Sequence, residues 1–265
     1  MRFCVLGSGS KGNCTYVESN GVGLLIDAGF SGIEVGRRLA SVGVEIEQIR
    51  AILVTHEHGD HVSGVGVLSR KYQLPVYANP GTRLAAGPVL DKLHAFIPFV
   101  TGSSFSIPPF TIHPFAIAHD TVDPVGFTLD DGHCRFGYCT DTGMVSRLIQ
   151  HHLQRCQGLV LECNHDLEML KNGPYPPALQ QRIRSKNGHL ANPEAIAFVQ
   201  GMLHAGLRHV VLAHISQSNN CHDLVRLEVE RSAIMGPQFS LALQEKPGEV
   251  VDLARPPFRG AGDDF

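Results

Sequence analysis

Four side chains able to ligate a metal ion, His56, His58, Asp60 and His61, fall within Thr55-His56-Glu57-His58-Gly59-Asp60-His61, directly after the apolar run 51–54. That run reads as a buried strand. Residues 62–72, apolar at three- or four-residue spacing, read as a helix, so the cluster occupies a strand-to-helix loop. Core packing does not explain so many polar donors in so short a stretch. A loop lets alternate side chains turn to opposite sides, so that His56 and His58 can grip one ion while Asp60 and His61 face a neighbouring one, with Gly59 supplying the bend. The helical H-E-x-x-H zinc motif does not apply, because Asp60 stands at its second histidine position.

A pair of ions needs more ligands, and these must come from other strand ends if the strands share a rim. Three residues have that placement: His119 after the run 115–118, Asp141 after 136–139, and His214 after 210–213. Each alone would be an ordinary strand-end residue; together behind the 56–61 cluster they support one another. An aspartate suits the place between two ions, because its two oxygens can neutralise charge on both.

The rest of the pattern says what carries this rim. Residues 2–6, 15–18 and 22–27 read as a strand meander. A helix follows, capped by Ser31, with Ile33, Gly36, Leu39 and Ala40 on one face. Helix and strand then alternate, with helices over 62–72 and 82–93 and a strand over 75–78. A second meander covers 110–116, 125–129 and 134–138, with a hairpin signal at Asp130-Asp131-Gly132. Alternation resumes with helices over 145–154, 193–205 and 223–232 and strands over 159–161 and 209–213. Two meanders, each followed by α/β alternation, predict an α/β fold in which two mixed sheets pack face to face with helices outside, a four-layer αββα sandwich. No repeat, long linker or break in composition divides the chain, so a single domain over 1–254 is expected, with the Pro-, Gly- and Asp-rich residues 255–265 as a flexible tail.

Composition narrows the class. Hydrophobic residues make up 43% and charged residues 18% of 265, which is globular composition. The net charge of −3 supplies no global positive field and argues against a strong non-specific duplex binder. Seven cysteines, odd in number and without a C-x-x-C pair, fit reduced thiols in the cytoplasm. No apolar run approaches the ~20 residues of a membrane span, so no membrane partner is expected. Gly7-Ser8-Gly9-Ser10-Lys11-Gly12 spells a dinucleotide fingerprint, but strand text follows where that fingerprint needs a helix, and Asn13 stands where a phosphate-binding loop needs lysine. A wide glycine turn in a hairpin is expected, with backbone amides lining a site mouth.

These residues resemble the metallo-β-lactamase fold superfamily, whose hallmark H-x-H-x-D-H is met by His56, His58, Asp60 and His61, with His119, Asp141 and His214 matching its later ligands. The likeness spans essentially the whole chain, including Leu25-Ile26-Asp27-Ala28-Gly29, similar to the family's strand-end aspartate segment. Within the superfamily, the opening glycine run with Asn13, Glu162-Cys163-Asn164-His165-Asp166 and Gly188-His189-Leu190 resemble the YycJ/WalJ group, small relatives of the PhnP phosphodiesterase and ribonuclease Z. The resemblance implies a first metal on His56, His58 and His119, a second on Asp60, His61 and His214, and Asp141 between them. It also implies an acid-and-histidine pair, Glu162 and His189, beside the scissile phosphate. Flavodiiron-type relatives carry Glu at the position of His58, which disfavours oxygen chemistry. The 21 residues between His119 and Asp141 leave no room for the long arm of tRNA-processing relatives, nor for the large inserted domain of cleavage-factor relatives.

The expected cofactors are two divalent metal ions, zinc by donor type, with manganese and iron compatible. They would share a water of lowered pKa for attack on phosphorus, with Asp60 in the catalytic set and His189 as general acid. The expected partner is nucleic acid, attacked in the manner of a 5′ DNA exonuclease, or a small phosphodiester. Small cyclic phosphodiesters and thioesters, lactones or β-lactams are the alternative substrates. Lys171, Arg182, Arg184 and Lys186 are expected to line the mouth with positive charge, and Asn164, His165 and Asn220 to touch substrate.

Overall fold

Each half of the chain begins with antiparallel strands and continues with parallel ones. The computed structural model describes residues 1–254; the expected tail lies outside the described residues. The first half contains β1 (Arg2–Gly7), β2 (Cys14–Ser19), β3 (Val22–Ile26), α1 (Gly32–Ser41), β4 (Ile49–Leu53), α2 (Gly59–Val62), α3 (Val65–Tyr72), β5 (Pro75–Ala78), α4 (Pro80–Ala86) and β6 (Ala95–Pro98). The second contains β7 (Phe105–Ile107), β8 (Phe110–Ala116), β9 (Val125–Asp130), β10 (Arg135–Cys139), α5 (Arg147–Leu153), β11 (Gly158–Glu162), α6 (Leu167–Asn172), α7 (Pro177–Ile183), α8 (Asn192–Gly201), β12 (His209–Ala213), α9 (His222–Ser232) and β13 (Gln238–Leu241). A last strand, β14 (Val251–Asp252), returns to pair with β1.

The strands form two seven-stranded sheets, ordered β14-β1-β2-β3-β4-β5-β6 and β13-β12-β11-β10-β9-β8-β7. Pairing is antiparallel up to β3 and β10, and parallel beyond them. Alternation along the strands sends one set of side chains between the sheets, where Phe3, Leu24, Leu53, Phe110, Phe127, Phe136 and Tyr138 are buried together. The opposite set packs outward: Leu6, Tyr16 and Ile52 join Val35, Leu39 and Leu68 of α1 and α3, while Cys139, Leu161 and Leu212 join Ile149, Ile196 and Val225 of α5, α8 and α9. The result is the expected αββα sandwich, with three apolar layers between its four layers of elements.

Local expectations differ from the structure in instructive places. The buried face of α1 carries Val35, Arg38 and Leu39, while Ile33 is 84% exposed. Arg38 is inside because its guanidinium donates to the carbonyls of Leu6 and Gln244 (2.8 and 3.0 Å) and covers the Phe30 ring. The helix read over 62–72 breaks at Gly64, whose N–H donates to Ala28 O (2.8 Å) and whose position a Cβ could not share, since it would lie 2.0 Å from Phe30 O. The helix read over 82–93 stops at Ala86, before Gly87-Pro88, because proline has no N–H to continue it, and that over 193–205 stops at Gly201. Strands β6, β13 and β14 were not legible; all are sheet edges with a ladder on one side only, where the apolar signal is weak. Among the described residues no helix is long and apolar enough to cross a membrane.

Candidate metal centre

The site forms where the carboxyl ends of the parallel strands meet, the usual place for a crevice in such sheets. β4 runs into Thr55 and the histidine loop. At the ends of β3, β10 and β12, Asp27, Asp141 and His214 have φ of +60°, +57° and +55°. This left-handed conformation is uncommon for non-glycine residues, with Asp and His among the more tolerant. It turns the chain sharply out of each sheet and leaves the side chain on the rim. The histidine loop is pressed against the exit of β3: Asp60 O accepts the Asn13 N–H (2.7 Å), and at Gly29 a Cβ would lie 1.7 Å from that same Asp60 O. Only glycine allows this approach.

Sequence-distant donors converge here. The ligand atoms of His56, His58 and His119 lie within 4.8 Å of one another, as do those of Asp60, His61 and His214. Asp141 groups both with His56 and His61 and with Glu162, His189 and His214. Its Oδ2 is 3.4 Å from His61 Nε2, and its Oδ1 3.4 Å from His214 Nδ1.

Hydrogen bonds around the rim fix which imidazole nitrogen faces inward. Thr55 Oγ1 gives its only proton to Asp27 Oδ2 (2.8 Å), so at 2.9 Å the Nδ1–H of His56 donates to it. His61 Nδ1–H donates to Asp27 Oδ2 (2.7 Å) and His214 Nδ1–H to Glu162 Oε1 (2.9 Å). In each ring the Nε2 lone pair is turned to the centre, the orientation that metal-binding histidines obtain from their outer partners. The Nε2 atoms of His56 and His214 and Asp141 Oδ2 are buried without a hydrogen-bond partner. Buried orphans are costly in a bare protein, and three at one point are what a cation would satisfy. The electrostatics agree. Burial and the neighbouring imidazoles of His61, His119 and His58 hold His56 well below its usual range, as a neutral ligand. Burial opposes charge on His214 too, but Asp141, Asp60 and Glu162 outweigh it and raise His214 to about 10. The field around His214 is therefore one that favours positive charge.

Bracing contacts that the sequence did not reveal complete the centre. Asn13 Nδ2 donates to Asp60 Oδ2 (3.2 Å), and Asn13 Oδ1 accepts from Ser8 Oγ (2.9 Å), which in turn accepts the His214 N–H (2.9 Å). The glycine run is thus the expected hairpin turn. Of its amides, those of Ser8, Gly9, Lys11, Gly12 and Asn13 donate within the protein, while the residues Ser10 and Lys11 reach the wall of the cavity over the metal centre. The available signal was a polar turn between fully buried strands, whose side chains must find partners inside. Glu162 is fully buried and holds two imidazoles, His189 Nδ1 at 2.8 Å and His214 Nδ1 at 2.9 Å, while accepting the N–H groups of Thr142 and Leu190 (2.8 and 3.1 Å). Burial alone would raise its carboxyl; the two histidines outweigh that and hold it below the usual range.

A cavity of about 510 Å³ opens over this centre, walled by His58, Asp60, His119, Asp141, Asn164, His189 and His214, with Tyr175, with Leu179, Arg182 and Ile183 of α7, and with Ser10, Lys11 and Ser216–Ser218. The expected positive mouth is corrected. Of its four cations only Arg182 lines the cavity, and it is paired with Asp120. Arg184, the residue that follows α7, and Lys171 and Lys186 are not part of the wall. Asn164 reaches the cavity but spends its amide on His214 O (2.8 Å). His165 is buried outside the wall, and burial lowers its imidazole to about 4. Asn220 lies outside this cavity too: its Nδ2 donates to Cys163 O, Asn164 O and Asn192 Oδ1 (3.2, 3.0 and 2.8 Å). His165 does not reach this cavity, whereas Asn220 lines a neighbouring one beside Ile215, Ser216 and Gln217. Asp120, beside His119, and Tyr175 were not singled out in the sequence.

Known proteins share this architecture. Residues 23–215 match the family model described as the beta-lactamase superfamily domain. The chain is 36% identical over 234 residues to the exodeoxyribonuclease YycJ of Bacillus anthracis, covering 87% of this chain and 88% of that protein. It is 36% identical over 233 residues to the exodeoxyribonuclease WalJ of Streptococcus pneumoniae, covering 86% of each. The metallo-β-lactamase fold protein YhfI of Bacillus subtilis, a crystal structure, superposes with a TM-score of 0.73 at 20% identity, over 94% of this chain and 99% of that one.

Proposed function

This chain belongs to the metallo-β-lactamase fold superfamily and, within it, to the YycJ/WalJ group, and from that premise we propose that it is a phosphodiester hydrolase with two divalent metal ions, acting on DNA as a 5′ exonuclease. His56, His58 and His119 would hold one ion, Asp60, His61 and His214 the other, with Asp141 reaching both. The imidazole-and-carboxylate donors suit zinc, with manganese and iron compatible. Bound metals supply a water acidic enough to act as nucleophile near neutral pH and offset charge on the phosphoryl oxygens.

The observation that carries the reading is the pair Glu162–His189 at the cavity wall. Glu162 takes the Nδ1 proton of His189 at 2.8 Å, which leaves Nε2 for the substrate. With Nδ1 bonded to the fully buried Glu162, the ring is held at the cavity wall, where Nε2 is placed to deliver a proton to the departing ester oxygen. Glu162 acts through the ring and is a positioning residue. Because it also holds His214, it couples the orientation of the acid to that of a ligand. Seven unpaired cysteines, six of them buried, suit work in the reducing cytoplasm.

The test is His189→Ala in metal-loaded protein. Metal content stays unchanged, turnover of an oligonucleotide, with its poor leaving group, falls ~10²–10⁴-fold, and turnover of a nitrophenyl phosphodiester falls far less. Equal losses on both substrates would reject His189 as the acid.

A further inference from the structure

A second cavity, of about 340 Å³, lies beside the first. The two share Ile215, Ser216 and Gln217, the residues that follow His214, as a common wall. The glycine turn touches both, through Ser10 and Lys11 in the first and Ser8 in the second. The hydrolytic chemistry has no use for this second space, since the donor groups and His189 sit in or under the first. Its chemistry is also different: Ile215, Ala242 and Leu243 give it apolar walls, with Gln244 and the exposed Lys246 at the edge and Glu245, which pairs with Lys11 at 3.7 Å, beside them.

A cavity of the first one's size takes a small organic ligand. A phosphodiester within a strand carries a nucleoside on each side of the scissile phosphate, and the two cavities lie on either side of the shared wall Ile215–Gln217. Apolar walls suit the flat face of a base, and a lysine at the rim suits the next phosphate. Resting on the phosphodiesterase reading above, we propose that the second cavity receives the nucleoside on the far side of the scissile phosphate, so that the site selects a polynucleotide strand over an isolated small phosphodiester. The ridge Ile215–Gln217 then separates two neighbouring nucleotide positions, and the glycine turn that braces His214 also shapes the track.

Cys221 lines the second cavity and is the one exposed thiol of seven, the other six being buried. N-ethylmaleimide on the metal-loaded protein therefore fills this cavity selectively, with mass spectrometry confirming a single adduct. Turnover is read on methyl 4-nitrophenyl phosphate, which needs the first cavity alone, and on a 5′-phosphorylated single-stranded oligonucleotide. Labelling is expected to lower the ratio of oligonucleotide to ester kcat/KM tenfold or more. Lys246→Glu is expected to lower it several-fold, chiefly through KM. Cys221→Ser protein, with no exposed thiol, should show the same ratio before and after treatment. An unchanged ratio in fully labelled protein overturns the proposal, as does a proportional loss on both substrates, which would place the label's effect at the metal centre. Turnover of the ester with an unchanged ratio refutes only the second cavity's role, whereas turnover of neither substrate by untreated protein refutes the hydrolase reading itself.

Discussion

The two sheets end their first parallel strand alike, β3 at Asp27 and β10 at Asp141, each a buried aspartate in the left-handed conformation. Their surroundings differ. Both oxygens of Asp27 are satisfied, Oδ1 by the Thr55 N–H (2.8 Å) and Oδ2 by Thr55 Oγ1 and His61 Nδ1 (2.8 and 2.7 Å). Asp141 Oδ2 has no hydrogen-bond partner. One half of the molecule has used its strand-end carboxylate to build a loop, and the other has left its carboxylate open at the centre. The same contrast runs through the halves. The first supplies His56, His58, Asp60 and His61 from one loop; the second supplies His119, Asp141, His214 and the Glu162–His189 pair one strand end or loop at a time. A site of this kind needs a rigid arm and an open arm, and the duplicated topology provides both.

The largest effects should come from exchanging the two aspartates' surroundings. Asp27→Ala leaves His61 Nδ1 and the Thr55 hydroxyl without their acceptor, and should lower the unfolding free energy of metal-free protein by ~3–5 kcal/mol, measured by urea denaturation. Asp141→Asn should cost less stability than Asp27→Ala, because Asp141 Oδ2 holds no hydrogen bond, yet cut phosphodiester turnover of metal-loaded protein about 10³-fold, the several kcal/mol of charge stabilisation a held metal supplies. Equal destabilisation by both substitutions would erase the distinction between arms.

A second contrast concerns buried histidines. In the first half those buried are His56 and His61, both in the metal centre, whereas the second half also buries His209 at the start of β12, bonded to Ser240 Oγ (2.9 Å). Burial lowers His209 from 6.5 to about 4. The folded protein therefore keeps it neutral while the unfolded chain takes up a proton below the ordinary value. Its contribution is complete above pH 6.5 and is lost as pH falls toward 4, by up to ~3 kcal/mol. His209→Gln, which can keep the bond to Ser240, should remove that part of the acid slope in unfolding titrations. A parallel slope in the variant would show that His209 is not such a liability.

The smallest expected effect sharpens how the arms are braced. Asn13→Ala removes the donor to Asp60 Oδ2 and the acceptor of Ser8 Oγ, and should weaken metal affinity 10–100-fold in competition with a chelator. Affinity equal to the parent protein's would mean that the rim holds its shape without the glycine turn.

Much of the fold was open to reading because periodicity is local: buried strands and amphipathic helices announce themselves within a few residues. What escaped was the sheet edges, with one ladder each, and the face of α1, where Arg38 is inside because distant carbonyls of Leu6 and Gln244 receive it. Among site residues, the 56–61 loop was legible because neighbours in the chain are neighbours in space. Of the expected positive mouth only Arg182 reaches the cavity, because charge along the chain says nothing about which residues meet the wall or that Arg182 pairs with Asp120.

By itself the sequence determined the donor types, their order and the strand ends that carry them, since a short loop after a buried strand can place its side chains only at that strand's rim. The tertiary structure alone decided which atoms face one another. Asn13 reaches Asp60 across 47 residues and Ser8 reaches His214 across 206, and Glu162 serves two rings at once. The second cavity exists only where the segment after His214 passes between two walls. These arrangements depend on packing between the two sheets, and no window of sequence contains both partners of such a contact.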